Sequence, residues 1–440
     1  MQERLDFQWA ALAHRDPDAV AVVEAATGAV TTRQQLSEAA AAWRIGVGSV
    51  VRRGDRVVLA GPNSVRWLEV FLALLEAGAV PAALDPGEPE DNQIAMAGAV
   101  GARWLWTPDG LRELPGRRRR PWPDECLIKL TSGTTGRPRA HRFTHAQMIA
   151  DGRQICRTMG IAPADRNLAL IPLGHSYGLG NLIVPLFDQG TPLVIASSAL
   201  PHVLAADIER HRPTVFPTVP VILRALTRAD VAESSLRSLR LVISAGAVLE
   251  ADVAAAFHDK FGRMVHGFYG SSETGGMCYD RTGEASLLGR SVGAPLEGVR
   301  LTFRRGGRFW IESAAVRSPG RHSPADRGEL NTLGELVLRS RAGRTIKLAG
   351  RRVELGEIEA ALRRLEGVSD AFAVPHPQKP DALAAAVVGE LSAVELRRML
   401  RAALAPWKIP ERLLVLPEFP TTARGKVDQR RLRALLEAES

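Results

Sequence analysis

Between Asp55 and Pro86 the chain alternates in a way that few folds accommodate. Arg56 to Ala60 (RVVLA) reads as a strand buried on both faces, and Gly61-Pro62-Asn63-Ser64 as a turn. Asn63 or Ser64 is placed to cap a helix running through Glu76 and stopped by Gly78, after which Ala79 to Leu84 reads as a second strand. Strand, helix and strand of these lengths form a βαβ unit, which requires a parallel sheet covered by helices. Apolar runs at Leu168–Ile171, Leu193–Ala196 and Leu241–Ser244 continue the pattern, so the large N-terminal part is expected to be α/β, with parallel or mixed sheets and flanking helices.

The character changes after Arg341. Glu357 to Leu365 (EIEAALRRL) predicts a short helix ending before Gly367, while Ala371–Val374 and Ala384–Val388 are strand-like. Ser392 with Glu395 forms a capping box for a helix carrying Met399, Leu400 and Leu404. A second, α+β domain is therefore expected over 342–440, with the first over 1–341. The boundary falls at Ala342-Gly343, where glycine permits large backbone rotation.

Composition narrows the functional classes. The longest apolar run, Val70–Leu84, is broken by Glu76 and Gly78, so no transmembrane segment is expected. The N-terminus mixes charges into an amphipathic stretch without the apolar core of a secretory signal, which makes a cytoplasmic location the expectation. Three scattered cysteines (Cys126, Cys156, Cys278) have neither metal nor redox spacing. The formal charge of +9 comes mostly from arginine, and its one dense run is Arg117–Arg120. Aromatic residues are not interleaved with that run, which argues against nucleic acid; a solvated loop is the plainer reading, and a contact for anionic groups on a carrier protein or on coenzyme A the other.

The segment richest in chemistry is Leu130–Arg139, LTSGTTGRPR. Hydroxyls at Ser132, Thr134 and Thr135 are set around Gly133 and Gly136. Glycine lets backbone N–H groups turn toward an anion and the hydroxyls add donors, so the segment suits a polyphosphate; a plain Ser/Thr/Gly turn is the alternative. It does not match the GxxxxGK[ST] loop.

This segment resembles the phosphate loop of the adenylate-forming superfamily of acyl- and aryl-CoA synthetases, peptide-synthetase adenylation domains and luciferases, and further signatures follow in order over nearly the whole chain. Pro172–Gly178 (PLGHSYG) resembles the motif lining the acid pocket, with His175 at its mouth. An aspartate to hold an α-amine is missing there, which disfavours an amino acid substrate. Ala245-Gly246-Ala247 falls where the small-residue adenine loop lies, and Tyr269–Glu273 (YGSSE) resembles YGxTE. By that resemblance Thr131, Ser132, Gly133, Thr134, Thr135 and Gly136 hold the ATP phosphates. Tyr269, Gly270, Ser271 and Ser272 meet the nucleotide, and Glu273 assists Mg²⁺.

Asp326 is followed by Gly328, Gly334, Arg341 and Lys347 at the family's spacing. This implies that Asp326 takes the ribose hydroxyls and Arg341 ribose or phosphate oxygens. Pro420–Asp428 (PTTARGKVD) resembles the C-terminal motif whose lysine, here Lys426, bridges the carboxylate and the α-phosphate. Arg139, Ala140, Gly343 and Leu355 depart from the usual lysine, glycine, aspartate or lysine, and proline. The span from Tyr269 to Asp326 is also short.

The resemblance implies ATP- and Mg²⁺-dependent activation of a carboxylic acid, acyl or aryl, to acyl-AMP with release of pyrophosphate. The catalytic residues would be Lys426, Glu273 and His175. A swing of the small domain about Ala342-Gly343 would then deliver the acyl group to coenzyme A or, alternatively, to the phosphopantetheine of an acyl carrier protein. A nucleotide- or acyl-binding protein without turnover is the reading from another class.

Overall fold

The computed structural model describes residues 3–84, 90–115, 124–132, 138–316, 320–341, 345–348, 351–379, 382–404, 406–422 and 427–438. The chain divides into a large unit (1–305, 309–324 and 329–337) and a small one (306–308, 325–328 and 338–440).

Two sheets organise the large unit. In the first, the parallel strands Arg56–Ala60, Val80–Leu84, Trp104–Thr107 and Glu125–Ser132 are flanked by the antiparallel edge strands Gly110–Glu113 and Pro138–Thr144. The strand–helix–strand reading of residues 56–84 holds: both strands are wholly buried, and the helix Val65–Glu76 lies between them in sequence. Ser64 is its cap, accepting from Trp67 N–H at 3.1 Å.

The second sheet has nine strands. Val20–Glu24, Leu193–Ile195, Asn167–Ala169, Val215–Thr218, Leu241–Ser244 and Val265–Ser271 follow one another in parallel. Gly275–Tyr279 and Ala294–Pro295 complete one side antiparallel, and Val30–Thr32 the other. Phe216, Val242, Phe257 and Leu223, all buried, belong to the core on one face of this sheet.

The small unit is built on the strands Val368–Pro375, Leu383–Gly389 and Arg412–Leu416. Alternation along the strands sends Ala371, Ala373, Leu383, Ala385 and Val387 into one core with Ile358, Leu362, Leu396 and Leu400 of the helices Leu355–Arg363 and Ala393–Ala403. Phe372, Val374, Ala384 and Ala386 pack on the other side with Leu432 and Leu436 of the helix Gln429–Ala438. The Ser392–Glu395 capping box is present. Among the described residues no helix is long and apolar enough to cross a membrane.

Candidate active site

In an open parallel sheet, ligands bind beyond the carboxyl ends of the strands, because loops converge there. Three of the motif segments leave the nine-stranded sheet at that edge. Pro172–Gly178 follows Asn167–Ala169, Ala245–Ala247 follows Leu241–Ser244, and Tyr269–Glu273 ends Val265–Ser271. These strands lie within a run of four parallel neighbours, so with strands ~4.8 Å apart the loops fall within ~15 Å of one another. Thr131 and Ser132 end the parallel strand Glu125–Ser132 of the six-stranded sheet, paired to Arg139 and Pro138. Gly133, Thr134, Thr135 and Gly136 lie outside the described residues, as do Ala342, Gly343 and Lys426.

Local chemistry explains each placement. Gly246 sits at φ +82°, a conformation that side chains rarely adopt, just beyond Ala245, whose N–H donates to Thr218 O. Gly178 packs so tightly that a Cβ would lie 2.1 Å from Pro172 O, so the helical turn Ser176–Gly178 can fold back on its own motif only as glycine. His175 caps that turn, its Nδ1 accepting from Tyr177 N–H at 3.3 Å, which leaves the proton of the neutral ring on Nε2. Tyr177 is buried and donates to Ile243 O at 3.0 Å; burial raises its hydroxyl's pKa well above the usual value, so it stays protonated and acts as a structural tie.

Asn63 does something the sequence did not announce. Its Nδ2 donates to Ala169 O and Ile171 O (3.2 and 2.9 Å), and its Oδ1 accepts from Leu173 N–H at 2.9 Å. The turn after the first βαβ strand thus holds the segment leading to His175.

Glu273 occupies the turn between Val265–Ser271 and Gly275–Tyr279, closed by Thr274 N–H to Ser271 O and by the contact of the two hydroxyls at 3.0 Å. Burial raises its pKa, but the backbone N–H of the turn, His141, Ser271 and His322 together hold it below the usual carboxylate value. His141 Nε2 lies 3.6 Å from Glu273 Oε1. The sequence reading passed over His141, although it stands two residues past Arg139 at the end of the phosphate segment.

An ionised, half-buried carboxylate suits Mg²⁺, which needs few protein ligands when phosphates and waters supply the rest. Among the described residues no group of three His, Cys, Asp or Glu is assembled to hold a metal.

The three cysteines are buried and free. Burial pushes the Cys156 thiol up to about 12 and those of Cys126 and Cys278 further, so none is poised as a nucleophile.

Asp326 starts the strand Asp326–Leu330 and Arg341 ends the strand Leu336–Arg341. The two strands pair as a hairpin whose turn is closed by Asn331 N–H to Glu335 O, so both residues stand at its open end. The shared glycine spacing is thereby explained: Gly334 lies in the tight turn at φ +74°.

Comparison with known proteins agrees with this layout. The family model "AMP-binding enzyme" matches residues 7–303, and "AMP-binding enzyme C-terminal domain" matches residues 357–426. A feruloyl-CoA synthase of Amycolatopsis sp is 28% identical, over 94% of this chain and 95% of its own. A 3-hydroxybenzoate/4-hydroxybenzoate CoA ligase of Thauera aromatica is 28% identical, over 72% and 67%. The crystal structure of ATP-bound MatB from Rhodopseudomonas palustris superposes with a TM-score of 0.84 at 22% identity, covering 99% of both chains. The large α/β unit, the smaller α+β unit and both family matches agree: this chain belongs to the AMP-binding enzyme family of adenylate-forming ligases.

Proposed function

We propose that the protein activates an aryl carboxylic acid as its acyl adenylate and transfers the acyl group to the thiol of coenzyme A. The convergence of the His175, Ala245–Ala247 and Glu273 loops at one sheet edge carries this reading, and the names of the two relatives support the aryl class and the acceptor. Among residues 172–178 there is no acidic side chain to hold an α-amine, which disfavours an amino acid.

A carboxylate is a poor acyl donor because its leaving group would be oxide. In the first step a carboxylate oxygen attacks the α-phosphorus of ATP while the bond to pyrophosphate breaks, giving acyl-AMP. In the second a thiolate attacks the acyl carbon and AMP leaves. Ala245–Ala247 and Tyr269 give the adenine a flat approach to backbone, and Asp326 takes the ribose hydroxyls. Thr131–Gly136 cradles the β- and γ-phosphates. Glu273 would hold Mg²⁺, which supplies neutralisation of phosphate charge when bound. His175, with its proton on Nε2, orients the acid at the pocket mouth. Lys426 stabilises the negative charge that gathers on the five-coordinate phosphorus.

The test pairs an acid panel with a variant. Pyrophosphate release by the wild type with benzoic or cinnamic acids, followed by CoA thioester formation, is expected. Lys426→Ala should lower adenylate formation roughly a thousandfold while leaving thiolysis of supplied acyl-AMP within about threefold. Equal loss of both half-reactions would sink the assignment of Lys426. Pyrophosphate release at background across aryl, fatty and short-chain acids would point instead to a binding protein. Thioester formed only on a phosphopantetheinyl carrier protein would replace coenzyme A as the acceptor.

A further inference from the structure

Directly behind the turn that carries Glu273 lies a buried ion pair that none of the motifs includes. Lys129, three residues before Ser132 on the strand Glu125–Ser132, and Asp151, on the helix His145–Met159, are each only 2% exposed. Lys129 Nζ is 3.8 Å from Asp151 Oδ2 and 4.4 Å above the Phe143 ring, and it has no hydrogen-bond acceptor among the described residues. Burial lowers the ammonium's pKa and raises the carboxyl's, and each charge counters the other's loss of solvation. Unpaired, either would be strongly disfavoured in this interior.

What Asp151 touches gives the pair its meaning. Oδ1 accepts from Gly276 N–H at 2.9 Å. A Cβ at Gly275, which sits at φ +72°, would lie 2.2 Å from the same oxygen, so the backbone beyond Glu273 comes down onto the carboxylate. On its other side a Cβ at Gly180 would lie 3.2 Å from Oδ2, and one at Gly152 would lie 2.2 Å from Val184. Gly180 belongs to a π-helical turn, Leu179–Ile183, that follows the His175 motif directly. Glycine at 180 and 275 lets the acid-motif helix and the metal-motif turn close over one carboxylate, which is paired with Lys129 on the strand leading to the phosphate loop.

We infer that Lys129 and Asp151 are positioning residues for the Mg²⁺–phosphate end of the site: Asp151 anchors the turn bearing Glu273 through Gly276 N–H, and Lys129 holds Asp151 in place. The inference rests on the assignment of Glu273 to Mg²⁺. Two double variants of the full-length protein isolate the anchor. Lys129→Met/Asp151→Leu removes both charges and the acceptor, whereas Lys129→Met/Asp151→Asn removes the charges and keeps an acceptor for Gly276. Because neutral replacement of a buried pair is generally tolerated, both should fold.

Calorimetric binding of ATP across a Mg²⁺ titration is the primary readout, with pyrophosphate-release kcat and KM for MgATP beside it. The Mg²⁺ concentration at half-saturation should rise about fivefold in the Leu variant, the loss expected for one hydrogen bond, and less than twofold in the Asn variant. If the Leu variant folds poorly, Lys129→Met/Asp151→Ala, likewise neutral and without an acceptor, serves in its place with the same shift expected. A purely structural pair would lower thermal stability and leave the half-saturation and KM per folded molecule unchanged, which would overturn the inference. Glu273→Gln separates the two ideas: if it does not shift the Mg²⁺ titration, the assignment of Glu273 fails. If it does and the Leu variant does not, only the positioning role fails.

Discussion

The interiors of the two units are made differently. The large unit buries Asp151, Asp165, Asn167, Asn181, Asp207 and Asp280, all at most 7% exposed and each hydrogen-bonded to a backbone N–H or C=O. In the small unit, among the described residues, Glu359 is the one buried charged group, and it serves its own sheet by accepting from Ala373 N–H at 2.8 Å. The rest of that core is alanine, valine, leucine, isoleucine and phenylalanine. Apolar packing is strong but tolerant of small shifts, whereas a buried polar group is satisfied only in a narrow geometry. The unit whose loops must be held in register is the one that spends its interior on fixed polar contacts.

Four measurements test this contrast. The largest effect should come from Asp165→Ala. Asp165 accepts from Ala162 N–H (2.9 Å), Thr214 Oγ1 (2.8 Å) and Arg240 Nε (2.7 Å), so its removal leaves three donors wanting and should cost about 4 kcal/mol in denaturant unfolding. Although burial raises the Asp165 carboxyl, Arg240 and the other donors hold it below the usual value. Its contribution is therefore complete above that usual value and is lost as pH falls through the lowered one. Next, Leu400→Ala, at a wholly buried position of the small core, should cost about 3 kcal/mol, read as faster hydrogen exchange over 383–389. That increment should be the same at pH 7 and pH 5; a pH-dependent one would break the comparison.

Third comes acid itself. His145 accepts from Leu5 N–H at 3.2 Å, and burial, with Arg4, pushes its pKa from 6.5 down to about 4. A depressed histidine stabilises fully above its unfolded value and less as pH falls from 6.5 toward 4. The large unit should lose about 2 kcal/mol over that interval, seen first as exchange in the helix Leu5–Arg15. A His145→Gln variant whose unfolding shows the same pH slope would contradict this. The smallest effect, about 1 kcal/mol, is expected for Ser392→Ala, which removes a surface capping box and should register as fraying of Ala393–Ala403 alone.

How far the sequence spoke depended on whether the physics was local. Arg56–Ala60 and Leu241–Ser244 were readable to the residue, because a short apolar run between turn formers has few other uses. Ser392 announced a helix start for the same reason, and Asn63 or Ser64 another, of which Ser64 is the cap. In the small domain the strands were found but drawn short and the first helix was placed two residues late, since ends such as Leu355 and Pro375 are decided by pairing and packing. The ordered motifs pointed to Glu273, His175 and the 245–247 loop.

Partners far apart in sequence were beyond its reach. Nothing beside Asn63 mentions carbonyls more than a hundred residues away. Lys129 left one trace, a charge inside the otherwise apolar CLIKL, but its partner stands a full strand and turn later on a helix. His141 reads as an ordinary strand residue until the turn at Glu273 is folded against it.

Asn63 also sets a limit on how the protein ages. Its amide gives two protons to carbonyls and takes one from an N–H, a set of contacts that only the neutral amide can make. Slow hydrolysis of that amide would leave an aspartate whose oxygens face the carbonyls of Ala169 and Ile171, converting two attractions into repulsions. A single spontaneous chemical event, with no change of sequence at the gene, would thus loosen the support of His175.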